Sequence, residues 1–214
     1  MNITFLCSDF SHPIIGNLSR WMEVNKAIHQ VSLISNKKEL SAGDILFLVS
    51  CSDIVNYAER FAYDVTLVLH ASDLPRGRGW SPHIWEIIRG SETIVVSLIE
   101  AEEKVDTGKI WHQVEVPIPK DFLWNEINEK LFDAEISLID FAIREYQTVI
   151  PRKQDEAIEP TYYEKRGPSD SEIDPELSLA SQFDQIRICD PNRFPAFFML
   201  HGKKYKIILE KIHD

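Results

Sequence analysis

From Asn2 to Val116, short apolar runs alternate with segments patterned at helical spacing, and this alternation constrains the fold more than any other feature. Asn2–Cys7, His29–Ile34, Ile45–Ser50, Val65–Leu69, Thr93–Ile99 and Ile110–Val116 have the length and β-branched content of strands. Between them, Asn17–Asn25 places Leu18, Trp21 and Met22 on one helical face, and Ile54–Ala62 is a second expected helix. Pro82 opens a third that runs to Arg89 and stops at Gly90, the usual polarity of proline early and glycine just past the end. Strands alternating with helices imply an α/β domain with a mostly parallel sheet covered on both faces.

Downstream, Ile127, Leu131, Ala134, Leu138 and Phe141 recur at steps of three and four, which predicts one long helix over residues 121 to 148, ended by Pro151. Residues 151–174 are polar and contain proline, as expected of a crossing linker. A short helix over 176–188 and a hairpin of Ala196–Leu200 with Lys204–Ile208, turned at His201-Gly202-Lys203, complete the chain. The expected organisation is a main domain over residues 1–150 and a linker with a small C-terminal subdomain over 151–214.

At 214 residues the chain is long enough to bury a full core. It has no apolar run of membrane-spanning length and no basic signal-peptide start, so a soluble protein is expected. Cys7, Cys51 and Cys189 are far apart and lack C-x-x-C spacing, which fits a reducing cytoplasm and suggests neither a metal site nor a disulfide framework. The net charge of −11, with no dense Lys/Arg cluster, counts against a nucleic-acid partner.

Chemistry concentrates where the fourth strand ends. The stretch Val68-Leu69-His70-Ala71-Ser72-Asp73-Leu74-Pro75-Arg76-Gly77-Arg78-Gly79 places His70 between a strand and a loop rich in glycine, and Val105-Asp106-Thr107-Gly108 follows the next strand. In order and spacing the two stretches resemble the folate-dependent formyltransferases, which carry an Asn-x-His-x-Ser-x-Leu-Pro-x-x-x-Gly loop and a later Asp-x-Gly loop. A second, weaker likeness lies in Tyr163-Glu164-Lys165-Arg166-Gly167-Pro168-Ser169-Asp170 and in Phe194-Pro195-Ala196-Phe197-Phe198. The chain departs from the family pattern at Val68, where the family has Asn.

The resemblance implies a Rossmann-like formyltransferase domain with N10-formyltetrahydrofolate as co-substrate and no metal. Such a transfer requires the amine to lose a proton, the formyl oxygen to be stabilised, and the departing folate nitrogen to be reprotonated. His70 is the expected base or proton shuttle and Asp106 its orienting carboxylate, because histidine exchanges protons near neutral pH and a neighbouring carboxylate supports its charged form. Cys51, Ser52, Asp53 and Ile54 match the family's pterin-side loop, with Lys104 and Val105 closing the other side. Ser72, Pro75, Arg76, Arg78 and Gly79 form the expected substrate loop, with Arg76 and Arg78 available to pair with a diphosphate. Trp80, His83 and Trp85 follow it, Trp85 at core spacing. Val68 offers no hydrogen bond, so Ser50, Ser52 or a strand-end amide must replace the family Asn, or transfer is weak.

Cys7-Ser8-Asp9-Phe10-Ser11-His12-Pro13 lacks the glycines of a ribose-phosphate loop, which disfavours the purine branch of the family. The short branch that formylates nucleotide-linked amino sugars for surface polysaccharides fits best. Methionyl-tRNA or another amine is the alternative acceptor, and a binding protein with little catalysis is the alternative class. Members of the family often form homodimers, for which the Phe197, Phe198 and Ile207–Leu209 hairpin offers apolar surface.

Overall fold

The computed structural model describes residues 1–212. Its centre is a six-stranded sheet of β1 (Asn2–Leu6), β2 (Gln30–Ile34), β3 (Gly43–Leu48), β4 (Tyr63–His70), β6 (Thr93–Glu100) and β7 (Ile110–Pro117), in the order β2-β1-β3-β4-β6-β7. The first four strands in that order are parallel, while β6 and β7 run antiparallel to their neighbours. The sheet is thus mostly parallel, as expected. The order in which successive strands are added reverses between β1 and β3, and in open α/β sheets ligands bind beyond the strand ends at such a point.

Period-two alternation gives the two faces different roles. Ile3, Phe5, Ile45, Phe47, Leu67 and Leu69 belong to the main core, which also takes in residues of α1 (Ile15–Asn25), α3 (Pro82–Ile88) and α4 (Trp124–Glu145). Leu6, Leu46 and Leu48 form a smaller cluster with the half-buried Val68. The helix expected over Ile54–Ala62 contracts there to a single turn, α2 (Tyr57–Arg60). Asn56 caps it by accepting from the Glu59 amide while the Glu59 carboxylate accepts from the Asn56 amide, so the helix cannot start earlier. Cys51–Val55 are left as a loop.

The helix expected over 176–188 shortens to a 3-10 turn (Ala180–Gln182) followed by α5 (Phe183–Arg187). Upstream, the Ser178 hydroxyl accepts from the Ser181 amide and the Gln182 side chain bonds both backbone groups of Asp174. Such side-chain bonds offer the backbone an alternative to helix. The C-terminal segment nevertheless shares the main core through Ile173, Ile186, Ile188 and Ala196. Arg187, almost wholly buried, donates to the carbonyls of Pro119 and Phe122 and to Asp184. The chain ends in the expected hairpin of β9 (Ala196–Leu200) and β10 (Lys203–Ile207), turned by His201 and Gly202 at φ 50° and 71°. No helix among the described residues is long and apolar enough to cross a membrane.

Candidate functional site

The carboxyl ends of β1, β3 and β4 open into one cavity of about 680 Å³, with Ser8, Ser50 and His70 among its lining residues. His70 closes β4 and is buried. Its Nε2 lies 2.9 Å from the Gly77 carbonyl and its Nδ1 3.6 Å from Asp106 Oδ1. A carbonyl only accepts, so Nε2 carries a proton, and Nδ1 is the nitrogen turned toward the Asp106 carboxylate.

Asp106 is held independently of His70. Its backbone is left-handed at φ 58°, its Oδ2 accepts from the Gly79 amide at 2.8 Å, and its carbonyl accepts from Gln154 Nε2 at 2.9 Å. Gly108 lets this loop lie against β6, since a Cβ there would overlap the Glu100 carbonyl. The loop after His70 is clamped as well. Gly77 donates to Thr161 Oγ1, Ser97 donates to the Ser72 carbonyl, and β5 (Arg78–Gly79) pairs with β8 (Tyr162–Tyr163). The segment expected to be a crossing linker therefore supplies Gln154, Thr161 and Tyr163 as the brace behind His70 and Asp106.

Of the expected ligand residues, Cys51, Ser52, Asp53, Ile54, Val105 and Gly79 line the cavity with His70 and Asp106. Cys51 is half-buried, and burial pushes its thiol pKa up, so it lines the pocket as a thiol. Lys104 and Arg76 are exposed outside the cavity, and Ser72 and Pro75 are buried beneath the loop. Arg78 is buried too, its guanidinium bonded to Gln154 Oε1 at 2.6 Å and the Tyr162 hydroxyl at 3.2 Å. Arg78 thus joins the brace and is not free for a diphosphate, a correction to its expected role that follows from the residues packed around it.

Val68 lines the cavity and packs against Leu74, Ile99 and Ile110. Among the expected substitutes for the family Asn, the Ser52 amide is already donated to Ser8 Oγ, while the Ser50 hydroxyl stays at the cavity, 3.3 Å from His12 Nε2.

His12 and Glu135, which were not expected at the site, line the cavity together with His83, which was expected only to follow the loop. Burial pushes the pKa of His12 down to about 4, with Arg193 adding to the effect, and burial likewise pushes His83 down to about 4. Glu135 is pushed up to about 8 by burial. Its signal was present: it falls four residues after Leu131 and three before Leu138, on the apolar stripe of α4, where a carboxylate is out of pattern.

Comparison with known proteins agrees with this geometry. Residues 25–143, more than half of the chain, match the family model described as formyl transferase. A methionyl-tRNA formyltransferase of Deinococcus radiodurans is 36% identical over 88 residues, covering 41% of this chain and 28% of that protein. The chain spans less than half the length of the curated relatives it matches. Among solved structures, methionyl-tRNA formyltransferase from Clostridium thermocellum superposes with a TM-score of 0.75 at 25% identity, covering 97% of each chain. A sugar N-formyltransferase from a Shewanella species gives 0.72 at 16% identity over 100% of this chain and 99% of the other. HypX from Aquifex aeolicus in complex with tetrahydrofolic acid gives 0.78 at 20% identity over 94% of this chain and 36% of the other. With its His70–Asp106 pair at the cavity and this match through the sheet, the chain belongs to the formyl transferase family.

Proposed function

We propose that the protein is an N-formyltransferase that moves a formyl group from N10-formyltetrahydrofolate to the primary amine of a nucleotide-linked amino sugar, a step of surface polysaccharide synthesis. The observation that carries the reading is the braced His70–Asp106 pair on a cavity lined by both apolar and polar side chains. Ile54 and Val105 bring exposed apolar side chains to the cavity from two loops, suited to the faces of a planar pterin. His12, His83, Glu135 and Arg166 add polar groups to the same lining, suited to a polar acceptor.

In this reading His70 accepts the proton lost by the attacking amine and returns one to the departing folate nitrogen, so that an amine and a formamide exchange places without net change in protons. Asp106 holds the ring and offsets its charge between the two transfers. The net charge of −11 supports a sugar acceptor over tRNA. The second reading, methionyl-tRNA as acceptor, is favoured by the names of curated relatives in sequence. Incubation with the formyl donor and a panel of amino-sugar nucleotides, alongside methionyl-tRNA, separates the two by mass. A single formyl gain on a sugar amine is the expected result, and a gain confined to methionyl-tRNA would overturn the reading.

Val68 adds a sharper expectation. With the Ser50 hydroxyl at the cavity as substitute donor to the formyl oxygen, Val68→Asn should change turnover by no more than about threefold and should lower stability by about 1 kcal/mol, since it sets an amide among packed apolar groups. Without a substitute, restoring a positioned donor would raise turnover by about 10²-fold. Steady-state turnover and chemical denaturation of the variant decide between the two.

A further inference from the structure

Glu135 is a cavity group that the reaction described above does not use. It is 6% exposed, and its Oε2 has no hydrogen-bond partner among the described residues. Its neighbours on α4 that share the cavity are Asn128, Leu131 and Phe132, and no cation lies within ion-pair distance of it among those residues. An ionised carboxylate in such a place costs several kcal/mol unless it is paired, as the rise of its pKa to about 8 reflects. A leucine or methionine would fill the same volume without that cost. The carboxyl therefore lacks a donor in the protein's own bonding scheme, and it lines the cavity from which a ligand would bring one.

We propose that Glu135 is the amine-selecting residue of the cavity, pairing with the acceptor's ammonium group and so distinguishing an amino sugar from the sugar that carries a hydroxyl in its place. This assignment rests on the amine-acceptor reading above. As an ammonium docks, the carboxyl proton leaves to solvent and an ion pair forms inside a low-dielectric site, where the pairing is strong. Passing one ammonium proton to the carboxylate then restores the acid and leaves a neutral amine with its lone pair free. Glu135 and His70 thus take separate parts: the first admits and deprotonates the ammonium, and the second handles the proton released on attack.

The test compares matched ligands that differ in one group, glucosamine with glucose and each amino-sugar nucleotide with its hydroxyl counterpart, by calorimetric titration of the intact protein. Wild-type protein should prefer the amine by about tenfold or more, and E135Q should bring the ratio close to one with affinity for the formyl donor unchanged. E135L, which keeps the apolar packing of α4, guards against loss of fold and should also abolish the preference. No amine preference in the wild type with any pair, or an unchanged preference in E135Q and E135L, would overturn the assignment. A preference that depends on Glu135 for glucosamine but gains nothing from an attached nucleotide would leave Glu135 standing and reject the nucleotide-sugar reading.

Discussion

Replacing His70 with asparagine should lower formyl transfer by about 10³-fold while the protein remains folded. The geometry separates the two consequences of the change. His70 has one structural bond, Nε2 to the Gly77 carbonyl at 2.9 Å, and an asparagine amide can also donate to that carbonyl. The loop has further clamps at Thr161, Ser97 and Tyr163, so loss of this one bond should cost about 1 kcal/mol. No amide side chain can exchange a proton at neutral pH, so transfer should not recover with the fold. Turnover measured beside a denaturation curve checks both parts, and near-normal turnover in the variant would remove His70 from the chemistry.

Asp106→Asn should lower turnover by about 10²-fold with little effect on donor binding. Asparagine tolerates the left-handed backbone at φ 58°, and its side-chain oxygen can still accept from the Gly79 amide. The substitution therefore keeps the loop and removes only the charge 3.6 Å from His70 Nδ1. Steady-state kinetics with saturating donor, and donor affinity measured separately, distinguish this from a collapsed site. Unchanged turnover across neutral pH would mean that Asp106 serves only to hold Gly79 in place.

Much of the fold was legible because local pattern and tertiary role agree. The β-branched run into His70, the Pro82–Gly90 helix and the apolar stripe of α4 all lie within a residue or three of their expected bounds. Prediction failed where side chains compete with the backbone, as Asn56 with Glu59 does in shortening α2 and as Ser178 and Gln182 do before α5. At the site, His70 and Asp106 were legible because they follow strand ends in a fixed order. Gln154 and Tyr163 were not, because they lie in a polar segment whose only signal is its packing against Arg78 and Gly79 after the chain has crossed the molecule. Arg78 was misplaced for the same reason: an arginine in a glycine-rich loop looks available until the partners that bury it are known.

The most direct test of the account follows the formyl carbon itself. Donor carrying a carbon-13 label in its formyl group would be mixed with wild-type protein and amino-sugar nucleotide, and with His70→Asn in parallel, and read by carbon NMR. The account predicts a new formamide signal on the sugar with wild-type protein and a label that stays on the donor with the variant. Label remaining on the donor in both, with donor and acceptor shown to bind, would contradict the claim that His70 and Asp106 carry out formyl transfer in this cavity.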